Sequence, residues 1–115
     1  MSALTDQFIA YGCKIEEAMG RFLNDEDFYG KCFAKFVEDK SFAGLGEALA
    51  AGDAAEAFDC IHDLKGISAN MGITPIGALI APLVEELRHG NIPEDADEVY
   101  EELLRIQRDL QGFDS

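Results

Sequence analysis

Apolar residues recur three and four positions apart along most of this chain, the spacing of helices that each bury one face. The pattern is clearest over residues 53–72. Asp53 stands three residues before Glu56, the spacing of a capping box with Asp as the cap. Ala54, Phe58, Ile61, Leu64, Ser68 and Met71 then form one stripe, if a single small polar residue is allowed, and Gly72 supplies a stop. Ser68 reads as packing with a local backbone bond.

Upstream, Leu4, Phe8, Ile9 and Tyr11 predict a short first helix that stops near Gly12. A second covers 14–22, with Ile15, Met19 and Phe22 on one side. Asn24 or Asp25 offers the next cap, before a helix over about 27–40 with Phe28, Cys32, Phe33, Phe36 and Val37 inward. Ser41 reads as the cap of a helix over 42–51 that buries Phe42, Leu45 and Leu49. Gly44 and Gly46 make that helix weak by propensity. Whether 27–51 is one kinked rod or two pieces is open at this level. Downstream, Thr74-Pro75 gives a cap and a proline at the first helical position. Ile76, Ile80, Leu83 and Leu87 follow at bundle spacing. Pro82 lacks a backbone donor and is expected to kink this helix near Ala78. Gly90 ends it. Pro93 and Asp95 open the last helix, whose stripe is Ala96, Val99, Leu103, Ile106 and Leu110. No two-residue alternation lasts long enough for a strand.

The expected fold is therefore all-α: an antiparallel four-helix bundle with additional short N-terminal helices. Residues 1–115 are expected to form one domain and a monomer. Ile61 and Leu103 belong in its core, with the ring of His62 at least partly exposed.

Composition narrows the class. A chain of 115 residues, 48% hydrophobic and 28% charged, is long enough for one core and reads as globular rather than disordered. The net charge of -14 argues against nucleic acid and anionic membrane as partners. It permits a partner with a basic or metal-bearing surface. Cys13, Cys32 and Cys60 are odd in number, widely spaced and without a C-x-x-C pair, so a reduced, cytoplasmic chain is expected. The first residues lack the basic start and apolar run of a signal peptide. The longest apolar run, over about 76–84, is far too short to span a bilayer.

The candidate chemistry lies beside the stripe of the 53–72 helix. His62 shares a face with Phe58, Asp59, Lys65, Gly66 and Ala69, three and four positions away. Helical side chains lean toward the N-terminus, so Lys65 reaches back over the turn that carries His62. Gly66 costs that helix about 1 kcal/mol relative to Ala. Either another body approaches closely there, or two helices of this chain meet there. A lone helical His is usually a solvated side chain. A His with a nearby cation and an open surface suits a phosphoryl group carried on a ring nitrogen. Metal binding fits less well. The Glu-x-x-His of di-iron bundles is only approximated by Asp59 and His62, and it occurs once. Cys60 and His62 diverge around the helix, as do Glu85 and Glu86. Gly44 and Gly46 lack the lysine of a phosphate loop. No metal site is expected, and His89, near a helix end, is given no role.

His62-Asp63-Leu64-Lys65-Gly66, followed by Ala69-Asn70-Met71-Gly72, resembles the H-x-L-K-G core and A-N-x-G-like tail of histidine-containing phosphotransfer (HPt) domains. Ala48-Leu49-Ala50-Ala51-Gly52-Asp53 precedes the motif at a family-like distance. Leu83-Val84-Glu85-Glu86-Leu87-Arg88 follows where the family has a leucine-and-acid helix. The resemblance covers nearly the whole chain, most securely after Asp27. It implies that His62 accepts a phosphoryl group from an aspartyl phosphate on one receiver domain and passes it to another in a multistep two-component phosphorelay. Lys65 would screen the added charge, and Gly66, Ala69 and Asp59 would form the docking surface. The partner receiver would supply Mg²⁺, so this chain needs no cofactor and acts as a carrier rather than an enzyme. Response-regulator receivers and a hybrid sensor histidine kinase are the implied partners. The sequence departs from the family at Asp63, where a small polar residue is common, and at Pro82. The competing reading is a helical interaction module that binds a receiver or kinase without accepting phosphate. A small metallo-bundle enzyme is a distant third.

Overall fold

The structure is a computed structural model that describes residues 3–113, with side chains from Asp6 onward. Seven helices make up the described residues: α1 (Ala3–Ala10), α2 (Ile15–Arg21), α3 (Glu26–Phe36), α4 (Lys40–Ala51), α5 (Ala54–Met71), α6 (Thr74–Arg88) and α7 (Ala96–Gln111). No strand occurs among them. Helix α4 packs on α5, α5 on α6, α6 on α7, and α7 returns to α4. That closed ring is a four-helix bundle. Its connections are short, with Gly52-Asp53 between α4 and α5 and Gly72-Ile73 between α5 and α6, so consecutive helices run antiparallel. Ile61, Leu64, Ile80, Leu103 and Leu110 are fully enclosed at its centre.

Local chemistry sets the helix boundaries. The Asp53 carboxylate accepts from the Glu56 backbone N–H at 3.0 Å, capping α5. Only this half of the capping box forms, because the Asp53 N–H bonds instead to the Ala48 carbonyl at 2.9 Å. Gly52 and Gly72 take left-handed backbone at φ +70° and +73°, closing α4 and α5. Asp25 caps α3 through the Phe28 N–H at 3.0 Å. Residues 27–51 are two helices. Asp39, not Ser41, caps α4 by accepting from the Ser41 N–H at 2.8 Å, which leaves Ser41 inside the first turn with a buried side chain. Thr74 is the first residue of α6 rather than a side-chain cap, and Ile73 precedes it. Pro82 sits within the continuous α6. Both Pro82 and Ala78 are exposed, so the carbonyl deprived of its helical partner lies on the solvent side.

Several inward assignments shift by one residue. Phe28 is 47% exposed, while Tyr29 takes the core position. Cys32 is only half-buried. In α5, Ala57 and Cys60 are buried where Ala54 and Phe58 are half-buried, so the stripe leans toward α4. The glycines of α4 have packing reasons. A Cβ on Gly46 would collide with the Tyr100 ring of α7, whose hydroxyl donates to the Phe42 carbonyl at 2.8 Å. A Cβ on Gly44 would meet the Cys60 sulfur at 3.0 Å.

The N-terminal helices close one end of the bundle. Helix α1 packs on α2, and both α2 and α3 pack on α5. Phe8 meets Tyr29, Phe33 and Phe113 edge-on, with centroids 4.8–5.6 Å apart. The Tyr11 hydroxyl donates to Asp109 on α7 at 2.8 Å.

Candidate functional site

His62 lies near the middle of α5, on the face turned away from Ile61 and Leu64, and its side chain is exposed. Its ring makes no hydrogen bond among the described residues; its neighbour is Phe58, with ring centroids 5.5 Å apart and planes tilted by 37°. Phe58 in turn lies under Arg88 of α6, whose guanidinium carbon is 5.2 Å from the ring centroid, within cation–π range. Arg88 also pairs with Glu85 at 3.3 Å.

Asp59, Lys65, Gly66 and Ala69 are all exposed and share the His62 face, as helical spacing requires. Lys65 has no ion-pair partner among the described residues, so its charge is not committed elsewhere. Its carbonyl accepts from the buried Ser68 hydroxyl at 3.1 Å, which satisfies that polar group inside the stripe. The helix–helix explanation for Gly66 fails: a Cβ built there meets no atom within 4 Å. The glycine instead borders an open groove of about 500 Å³ between α3 and the later turns of α5. Phe22, Cys32, Phe36, Ile67 and Met71 supply its apolar lining, with Lys35, Asp39 and Asn70 as polar members. A larger hollow, about 800 Å³, lies at the α2–α3 corner around Met19 and Leu23 and contains none of the residues around His62.

The C-terminal end of α5 is held by the N-terminal helices, which the sequence pattern did not reveal. The Arg21 guanidinium donates to the carbonyls of Ala69 and Asn70, both at 2.9 Å. The Tyr29 hydroxyl donates to the Met71 carbonyl at 2.6 Å, and the Lys14 N–H to the Gly72 carbonyl at 3.0 Å. Carbonyls that a helix end leaves unpaired are thus satisfied from outside the helix. Gly72 is required twice over, by its positive φ and because a Cβ there would strike the Lys14 carbonyl oxygen and Ala18. Burial pushes the Tyr29 phenol well above its ordinary range. Arg88 was likewise missed as a neighbour of the site; its only sequence signal is that it ends the leucine-and-acid segment.

His89, at the end of α6, is exposed. No group of three or more His, Cys, Asp or Glu side chains is arranged to hold a metal among the described residues. No helix among them is long and apolar enough to cross a membrane.

The site presents an accessible imidazole, an uncommitted ammonium one turn on, and a helix surface left open by glycine. No curated relative and no solved structure matches the chain. The Hpt domain family model matches residues 38–114, which span the whole four-helix bundle and include the helix that carries His62. By that match and by the helical bundle it describes, the chain belongs to the Hpt domain family, whose members are phosphotransfer modules of two-component signalling.

Proposed function

We infer that this protein carries a phosphoryl group on His62 between receiver domains of a multistep phosphorelay. The observation that carries this reading is the exposure of the His62 imidazole on α5, with Lys65 and the bare surface of Gly66 on the same face. In the forward step a lone pair on one ring nitrogen attacks the phosphorus of an aspartyl phosphate. The phosphorus–nitrogen bond forms as the acyl phosphate's P–O bond breaks, and the partner's carboxylate leaves with the electron pair. The proton on the other ring nitrogen stays in place. Such transfers depend on positioning and on neutralising charge rather than on covalent machinery. Lys65 supplies the positive charge on this chain, and the partner's acidic site holds the Mg²⁺. In this reading His62 acts as a carrier, and the partner is the catalyst.

Gly66, Ala69 and Asp59 form the ground on which a receiver docks, and the apolar groove beyond Gly66 extends it. Partners are receiver domains and a hybrid sensor histidine kinase, met in the cytoplasm by a monomer.

The test is transfer from a phosphorylated receiver domain, followed by mapping of the label. The label should be lost in acid, survive alkali and map to His62. His62→Gln should fold as the parent does, since the side chain is exposed, and take no label. Labelling of the Gln variant would remove His62 as acceptor. A wild type that binds receiver but takes no label would favour the interaction-module reading.

A further inference from the structure

We propose that Phe58 is a positioning residue for phosphoryl transfer, holding the His62 imidazole in one orientation, and that Arg88 secures Phe58 from α6. The proposal rests on His62 as the acceptor, and it adds two residues to the working parts of that site.

An exposed histidine on a helix ordinarily samples two side-chain wells about its first torsion. Nothing polar restrains His62: its ring has no hydrogen-bond partner among the described residues, and its side chain is exposed. Its ring contact is with Phe58, one turn earlier, at a centroid distance of 5.5 Å. Aromatic pairs at such distances are attractive beyond their buried area. Phe58 can act as a wall only if it is itself fixed. It is half-buried and packed against the core. Arg88 lies over it at 5.2 Å. Glu85 meets the guanidinium at 3.3 Å, an exposed pair that adds little restraint of its own. The order of support therefore runs from α6 through Arg88 and Phe58 to the nucleophile on α5. In-line attack requires the nitrogen lone pair to point at phosphorus, and a misdirected reacting group costs rate steeply. A restrained ring enters the encounter already oriented.

Two readouts on the full chain test this. The first is the set of three-bond scalar couplings that report the first side-chain torsion of His62 by NMR. The second is the single-turnover rate of transfer from a phosphorylated receiver, measured with the docking affinity for that receiver. In the wild type the couplings should report one dominant well. Phe58→Leu keeps an apolar body but removes the ring; its couplings should move toward averaged values. Its transfer rate should fall about ten- to a hundredfold with docking affinity unchanged. Phe58→Tyr keeps the ring and should restore both. Arg88→Gln should give intermediate couplings, while Glu85→Gln, which leaves the cation in place, should stay near wild type. Unchanged couplings in Phe58→Leu would overturn the proposal, as would averaged couplings in the wild type. Unchanged couplings in Arg88→Gln would remove Arg88 from it. A purely structural Phe58 would lower the unfolding midpoint without moving the couplings. If the wild type takes no phosphoryl group, His62 as acceptor fails, while the couplings still decide whether Phe58 orients the ring.

Discussion

The phenol of Tyr29 donates to the backbone carbonyl of Met71 across 42 residues of sequence, at 2.6 Å, and Tyr29 is fully enclosed. The bond joins the third helix to the last residue of the helix that carries His62. Tyr29→Phe keeps the ring and removes the donor. It leaves a carbonyl at a helix end without its partner, which costs about 1–3 kcal/mol when the group is buried. Urea unfolding should show that loss. Amide exchange should quicken at the C-terminal end of α5 before it quickens around Ile61.

Gly66→Gln should separate docking from folding. The substitution removes the helix penalty of glycine, and its Cβ meets nothing. Stability should hold or rise by less than about 1 kcal/mol. Transfer from a phosphorylated receiver should nevertheless drop sharply, because the new bulk stands one turn from His62. Thermal unfolding and a transfer time course on the same sample check both parts. Wild-type transfer in a stable variant would mean that no partner approaches Gly66.

Leu103 is fully enclosed at the centre of the bundle. Leu103→Ala should cost about 2–5 kcal/mol, the range for a large cavity in a packed core. Chemical unfolding measures it. With α5 held at both ends, the fraction that remains folded should still accept phosphate at the parental rate.

Alkali should weaken the fold progressively. Burial pushes the Cys13 thiol from its ordinary 9.0 up to about 11, with the Thr74 backbone drawing it slightly back. Burial, aided by the bond to Asp109, pushes the Tyr11 phenol from 10.0 up to about 12. Each folded-state pKa lies above its unfolded value, so the native state binds protons more tightly. The stabilisation is whole below the unfolded pKa and is lost as pH rises through the folded one. Urea midpoints should therefore begin to fall above about pH 9 and still be falling at about pH 12, because the buried Tyr29 phenol holds its proton longer than Tyr11 does. Cys13→Ala should lessen the early fall, between about pH 9 and 11, and leave the later part, to which Tyr11 and Tyr29 both contribute.

What the sequence made legible were the features written locally. Asp53 capping α5, Gly72 ending it, Ser68 turned inward and His62 turned outward all follow from neighbours within one or two turns. Three- and four-residue spacing also placed Ile61 and Leu103 in the core. Errors arose where two adjacent residues competed for one role. Phe28 and Tyr29 are both aromatic, and the bond to Met71 together with packing against Phe8 and Phe22 selects Tyr29 for the interior. Asp39 and Ser41 are both capping residues, and the stop of α3 at Phe36 gives the role to Asp39. Contacts between distant segments left no local trace. Nothing near Arg21 announces the carbonyls 48 and 49 residues away. Nothing near Phe58 announces Arg88. The glycines of α4 looked like weaknesses until the Tyr100 ring and the Cys60 sulfur occupied the space they leave.

The clamp at the end of α5 bears on how a carrier of this build meets its partners. His62 lies nine residues before Met71, about 13.5 Å along the helix at 1.5 Å per residue. The opposite end is capped by the Asp53 carboxylate and tied to α4 by the bond from the Asp53 N–H to the Ala48 carbonyl. Mechanically, α5 is a beam supported at both ends with His62 near mid-span, where unwinding at either tip does not reach. Such a beam resists bowing and unravelling, and under the proposed function it would not reshape itself to follow a donor and then an acceptor. It offers every visitor the same stiff landing strip, and the adjustments between successive partners fall to side chains and to the visitors themselves.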